Sequence, residues 1–179
     1  MSATMLSVDR LDLARRLAEL CHLEGSFVLR SGVSADVYFD KYQFESDPDT
    51  LRAVAAGLQP LIPPDTDLLA GLELGGVPVA TALSLGTGIP TVFVRKQAKS
   101  YGTAKLAEGP PIAQRRLLVV EDVVTSGGQI VESVTQLRTL GADITTALCV
   151  IDRQQGGTEN LAAAGIELRS LFTRADLTR

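Results

Sequence analysis

Residues 117–121 read Leu-Leu-Val-Val-Glu, a continuous apolar run that stops on an acid, and this run constrains the fold more tightly than any other feature. A short unbroken run of this kind belongs to a strand buried on both faces, not to one with a wet side. Comparable runs occur at residues 67–71, at 91–95 (Thr-Val-Phe-Val-Arg) and at 145–151 (Thr-Thr-Ala-Leu-Cys-Val-Ile). Helix-like stretches separate them: residues 77–85, then Ile130, Val134, Leu137 and Leu140 at helical spacing with Gly141 closing the helix. Buried strands alternating with amphipathic helices predict an α/β fold, a central parallel sheet flanked by helices with right-handed crossovers. Such sheets bind ligands beyond the carboxyl ends of their strands. The loops after these four runs are therefore where chemistry is expected.

Upstream, residues 8–23 read as an amphipathic helix, with Leu11, Ala14, Leu17 and Leu20 on one stripe and Gly25 just past its end. Two short extended segments follow, near 27–30 and 37–40. A second helix is expected from Asp47 as N-cap and Pro48 in the first turn, through Leu51, Val54, Ala55 and Leu58. The 179 residues show no internal repeat and no domain boundary, and they suffice to bury one substantial core. No apolar run reaches the ~20 residues that span a membrane. The opening residues lack the apolar segment of a secretory signal, so a soluble cytoplasmic protein is expected. Cys21 and Cys149 lie far apart in apolar contexts and read as buried thiols. His22 is the one histidine, which leaves no ligand set for structural zinc.

The formal net charge is -4, with no basic run that could track a nucleic-acid backbone. Arg95, Lys96, Lys99 and Lys105 nevertheless cluster. On an acidic chain that cluster suits a compact polyanion, or else it is an ordinary solvated loop. After the run at 117–121 comes Asp122-Val123-Val124-Thr125-Ser126-Gly127-Gly128-Gln129. Two glycines let backbone N–H groups crowd toward a ligand, Thr125 and Ser126 add hydroxyls, and a helix N-terminus behind them favours phosphate. Glu121 and Asp122 suit the hydroxyls of a sugar. Anion donors beside diol acceptors describe a phosphorylated ribose; the plainer alternative is a tight strand-to-helix turn capped by Asp122 or Thr125. The GxxxxGK[ST] pattern of a Walker A loop is missing.

The segment 117–129 resembles the phosphoribosyl pyrophosphate (PRPP) signature of the type I phosphoribosyltransferases. Arg95-Lys96-Gln97-Ala98-Lys99-Ser100-Tyr101-Gly102 is similar to the RKxxKxxG loop of the orotate phosphoribosyltransferases. Residues 27–40, with Arg30, Ser31, Gly32, Tyr38 and Phe39, resemble that family's segment over the orotate ring, though alone they read as a hairpin with an aromatic core. Residues 71–78 resemble its pyrophosphate loop, and Arg153 matches the arginine that pairs with the orotate carboxylate; taken alone, Arg153 could be a surface salt bridge to Asp152.

The resemblance implies a type I fold with a small N-terminal hood. Residues 1–179 would form one domain, with the hood mainly 1–45 plus the C-terminal tail and the core about 46–155. It implies transfer of phosphoribosyl from PRPP to orotate, with magnesium held mainly through PRPP, in a homodimer whose basic loop reaches the neighbouring site. PRPP would be bound by Arg95, Lys96, Lys99 and by Glu121, Asp122, Val123, Val124, Thr125, Ser126, Gly127, Gly128 and Gln129. Orotate would be bound by Thr125, Arg153, Tyr38 and Phe39, and Lys99 and Asp122 would be catalytic. The chain departs from the family pattern at Tyr101, where many members have histidine, at Arg30, often lysine, and at Gly75, lysine in some relatives. Two other readings remain: a regulator of this fold that binds PRPP or a nucleotide without catalysis, and a purine phosphoribosyltransferase. The retained Arg/Lys loop argues against the first, and Arg153, suited to an anionic base, against the second.

Overall fold

A computed structural model of the protein describes residues 9–28, 32, 34–97 and 105–178. The chain begins with α1 (Arg10–Cys21), an antiparallel pair β1 (His22–Val28) and β2 (Ser34–Phe39), a one-turn helix α2 (Tyr42–Ser46) and α3 (Pro48–Leu58). It continues through β3 (Leu68–Leu72), α4 (Gly76–Thr87), β4 (Thr91–Val94), β5 (Ala107–Glu108), β6 (Arg116–Val124) and α5 (Gly128–Thr139). The last elements are β7 (Asp143–Asp152), α6 (Gly157–Ala163), β8 (Glu167–Thr173) and α7 (Arg174–Leu177). As the sequence indicates, Asp47 caps α3, accepting the Thr50 N–H at 2.8 Å, and Pro48 opens it. Pro at the first helical position loses no hydrogen bond and arrives with helical φ.

Six strands form the main sheet in the order β5-β4-β3-β6-β7-β8. From β3 the chain passes through α4 to β4 on one side; from β6 it passes through α5 to β7 on the other. Because both crossovers are right-handed, moving in opposite directions puts α4 and α5 on opposite faces. The strands sort their side chains accordingly. Leu118, Val120 and Leu148 pack with Leu17, Phe44, Val54, Leu58, Val79 and Leu83 of the α1–α4 face. Leu117, Val119 and Cys149 pack with Ile130, Val134, Leu137 and Leu161 of the α5–α6 face. The direction of winding reverses between β3 and β6, and in such sheets the ligand crevice lies beyond the carboxyl ends at that reversal.

The sheet is mixed, not parallel as expected: β5 runs antiparallel to β4, with Phe93 opposite Glu108 and Val94 opposite Ala107. β6 runs past residue 121 to Val124, so the two acids are strand residues, with Glu121 opposite Cys149. Gly25 does not end the first helix; α1 stops at Cys21, and Gly25 lies inside β1. The run at 145–151 is not the last core strand either. β8 pairs in parallel with β7, and Phe172 is 1% exposed, so the sheet extends beyond residue 155. Arg10 ties α1 to this C-terminal region, donating to the Leu171 carbonyl at 2.7 Å and lying 5.1 Å from the centre of the Phe172 ring. Cys21 and Cys149 are buried free thiols, and no helix among the described residues is long and apolar enough to cross a membrane. Phe172→Ala is expected to lower unfolding free energy by roughly 3–5 kcal/mol. A urea melt showing a loss below about 1 kcal/mol would mean that β8 is peripheral to the core.

Candidate active site

Backbone geometry builds one half of the crevice. Gly127 caps α5 in the left-handed region at φ 74, a conformation natural to glycine, and no side chain caps the helix. The amides of residues 126–129 meet no acceptor among the described residues, and the helix begins its own bonding only with the Val131 N–H to the Gly127 carbonyl, 3.1 Å. Consecutive free amides at a helix N-terminus form an anion cradle. Thr125 and Ser126 are exposed beside it. Val124 is 2% exposed in the core and Val123 is partly buried, so of these two PRPP candidates only the backbone borders the crevice. From α6, the Asn160 side-chain amide donates to the Ser126 carbonyl at 2.9 Å, and Gly157 lets the helix approach so closely that a Cβ there would meet the Thr125 carbonyl at 2.6 Å. Neither brace was anticipated; the adjacent Gly156-Gly157 pair was the available signal.

The acids form the second half, with unforeseen partners. Asp122 is fully buried, and its Oδ2 lies 2.5 Å from Lys41 Nζ. Its Oδ1 accepts the Val123 N–H at 2.5 Å, while Glu121 Oε1 accepts the Asp122 N–H at 3.2 Å. Glu45, from α2, is 8% exposed and lies against Asp122, with its Oε1 buried and without a hydrogen-bond partner among the described residues. Burial, then the adjoining Asp122 carboxylate and its charge, push the Glu45 carboxyl up to about 9. Burial and the Asp122 charge likewise hold Glu121 well above the usual carboxylate range. Burial would raise Asp122 too, but the adjoining Glu45 and Glu121 carboxyls and the Lys41 charge outweigh it and leave Asp122 below its ordinary value. Burial acts to lower Lys41, and the Asp122 charge more than offsets this, so Lys41 titrates higher than usual. Within the cluster the three acids are pushed apart, Glu45 and Glu121 upward and Asp122 downward, with Lys41 set against Asp122. Lys41 and Glu45 could have been singled out by their spacing, since residues four apart share a helix face.

Two further loops close on this cluster. A Cβ on Gly75 would overlap Asp122 Oδ2 and one on Gly76 the Val120 carbonyl, so glycine here lets the loop after β3 lie directly on β6. That loop also holds the end of β4: Glu73 Oε1 accepts the Lys96 N–H at 2.6 Å, and Gln129 donates from its side chain to the Glu73 carbonyl at 3.3 Å. Residues 73–76, 95–96 and 125–129 thus share one crevice. Arg95 is partly buried with its Nε 3.5 Å from Glu108 Oε1, and Lys96 is exposed. Lys99, Tyr101, Arg30 and Ser31 lie outside the described residues.

At the end of β7, the Arg153 guanidinium sits 6.0 Å from the centre of the Phe39 ring, bringing together two of the candidate orotate contacts. The Arg153 N–H donates to the Val124 carbonyl at 2.8 Å, which puts Arg153 beside Thr125. The salt bridge from Arg153 to Asp152 does not form. Asp152 instead accepts the Gln154 N–H at 2.8 Å and the Thr158 hydroxyl at 3.2 Å. Successive strand residues face opposite ways, so Tyr38 does not join Phe39: its ring tilts against Phe27, centroids 5.4 Å apart. Among the described residues no group of three or more His, Cys, Asp or Glu could hold a metal ion. In the acid cluster the position against Asp122 is already taken by the Lys41 ammonium.

The phosphoribosyl transferase domain family matches residues 50–164. The chain is 50% identical over 165 residues to an orotate phosphoribosyltransferase from a Nocardioides species, covering 92% of each protein. The crystal structure of Mycobacterium tuberculosis orotate phosphoribosyltransferase in complex with Fe(III) dicitrate matches with a TM-score of 0.86 at 32% identity, over 96% of this chain and 100% of that one. The same enzyme in complex with PRPP matches with a TM-score of 0.82 at 29% identity, over 96% and 100%.

The acid cluster makes stability depend on pH in a stated direction. Glu45 titrates at about 9 when folded against an ordinary 4.5, so the stability it confers at low pH is lost as pH rises between those values. Glu45→Gln removes that linkage. Urea melts at about pH 5 and about pH 8.5 should show the variant gaining on wild type at the higher pH. Parallel curves would mean that Glu45 is ionised in the fold.

Proposed function

This chain belongs to the orotate phosphoribosyltransferase family, and from that premise we propose how its residues divide the work. The reaction transfers phosphoribosyl from PRPP to orotate, giving orotidine 5'-monophosphate and pyrophosphate in pyrimidine synthesis. The bond from the anomeric carbon to pyrophosphate breaks with its electron pair leaving on oxygen, and a ring nitrogen of orotate takes its place. The free amides of residues 126–129, with the hydroxyls of Thr125 and Ser126, bind the ribose phosphate. Glu121 and Asp122 hold the ribose hydroxyls, and the single negative charge on Asp122 favours the cationic sugar that develops as pyrophosphate departs. Arg95, Lys96 and Lys99 stabilise the pyrophosphate; for Lys99 the support is the RKxxKxxG pattern alone. Magnesium would enter bound to PRPP, and there it would offset phosphate charge.

The contact of Arg153 with Phe39 beside Thr125 carries the choice of base. A guanidinium fork pairs with a planar carboxylate through two parallel N–H bonds, and an aromatic face covers a planar ring. Neutral purines offer the fork no such partner. Residues 1–179 act as one domain, with α1, β1 and β2 as a hood over the crevice. The working unit is a cytoplasmic homodimer; Leu74 at 62% exposure and Leu85 at 85% supply apolar surface for a second copy.

Orotate absorbance should fall when protein, PRPP and magnesium are combined, and adenine, hypoxanthine and uracil should give no product. Consumption of a purine in its place would overturn the reading of Arg153. Arg153→Ala is expected to raise the orotate KM by about 10- to 100-fold, the worth of a lost charge-assisted pair. Lys99→Ala is expected to cut kcat by about 100-fold; a value within about threefold of wild type would remove the leaving-group role. Gel filtration should give about twice the 19.0 kDa chain mass.

A further inference from the structure

Asp122 is fully buried, and its own strand answers it with the Val123 N–H and Glu121 but with no cation. The cation is Lys41, the residue that caps α2. Phe44, fully buried, pins this short helix into the core, and Lys41 and Glu45 on either side of it reach the carboxylate together. Lys41 Nζ stands 2.5 Å from Oδ2, with its side chain 32% exposed, while Oε1 of Glu45 is buried and meets no N–H donor among the described residues. Gly75 leaves the space on the remaining side, where any side chain would collide with Oδ2. We propose that Lys41 and Glu45 are positioning residues for Asp122, fixing its carboxylate as a charged acceptor for the ribose hydroxyls of PRPP. This rests on the assignment of Asp122 to the ribose.

The groups facing Asp122 are Lys41 and Glu45 from α2, Glu121 on its own strand and the neutral thiol of Cys149 on β7. The glycines at 75 and 76 bring no charge, and the exposed Tyr42 ring lies 5.4 Å from Lys41 Nζ. Among the described residues Lys41 is the cation that pairs with Asp122. A buried carboxylate that loses its cation takes up a proton and ceases to be a full acceptor. The effect falls on PRPP, since orotate meets Arg153 and Phe39 instead.

The test measures PRPP affinity by titration calorimetry, with magnesium present, alongside steady-state kinetics from about pH 6 to about pH 9. Lys41→Met is expected to weaken PRPP binding by about tenfold or more at neutral pH, with the orotate KM within about twofold of wild type. The deficit should shrink as pH rises, because Asp122 regains its charge, and Lys41→Arg should recover much of it. If Lys41→Met unfolds the protein, Glu45→Leu and Glu45→Gln decide: leucine should weaken PRPP binding, and glutamine, which can donate to Asp122, should restore most of the loss. A Lys41→Met affinity within about threefold of wild type overturns the proposal. So does a deficit that is flat with pH and unrelieved by arginine, or a glutamine no better than leucine. Wild-type protein that binds PRPP but leaves orotate untouched sinks the choice of base, and the affinity ratios still judge Lys41. Wild-type protein that fails to bind PRPP sinks both readings.

Discussion

A carboxylate with no exposure keeps its charge only when a cation stands against it, and the crevice of this protein is arranged around one such pair. Asp122 lies where β6 emerges between the loop after β3 and the short helix α2. Lys41 reaches it from one side, and the bare Cα of Gly75 makes room on the other. Breaking a buried pair by removing one partner typically costs about 3–5 kcal/mol, because the survivor is stranded in a low dielectric. Three parts of the chain that are distant in sequence therefore depend on one contact. The same surroundings act on Glu45 and Glu121, whose burial beside the Asp122 charge pushes both carboxyls up.

The same loop manages opposite charges within a few residues. Ahead of Val123 the chain presents an acid; past Val124 it presents amides with nothing to bind. Only the end of β6 and the turn after it separate the two regions. Val124 points into the core between them and keeps the backbone from folding back on itself. A ligand that is anionic at one end and carries hydroxyls next to it satisfies both regions at once.

The parts of this architecture that were readable in the sequence are those set by burial on both faces. Runs such as residues 117–121 admit few alternatives, and the glycines after them declare their turn chemistry locally. β8 escaped notice because its charged Glu167 and Arg169 give it the look of a tail, although Leu171 and Phe172 are core residues. Adjacent residues Tyr38 and Phe39 look alike in sequence, and strand alternation turns Phe39 toward Arg153 and the Tyr38 ring toward Phe27. Lys41 and Glu45 were missed for another reason. Nothing in the segment 41–45 announces that α2 folds over the end of a strand eighty residues away; the meeting is tertiary, and it gives those side chains their meaning.

The hydrogen bond from the Arg153 N–H to the Val124 carbonyl also sets a dimension. It continues the ladder between β6 and β7, so Arg153 is held about 4.8 Å from the end of β6, and the anion cradle follows directly in the turn from that strand into α5. The crevice acts as a calliper with rigid jaws. A ligand must carry its carboxylate and its phosphate at the span those jaws impose, and a molecule with the right groups at another spacing is refused by length alone. Altering which base is accepted by changing the side chain at 153 would leave that span untouched, because the backbone holds it.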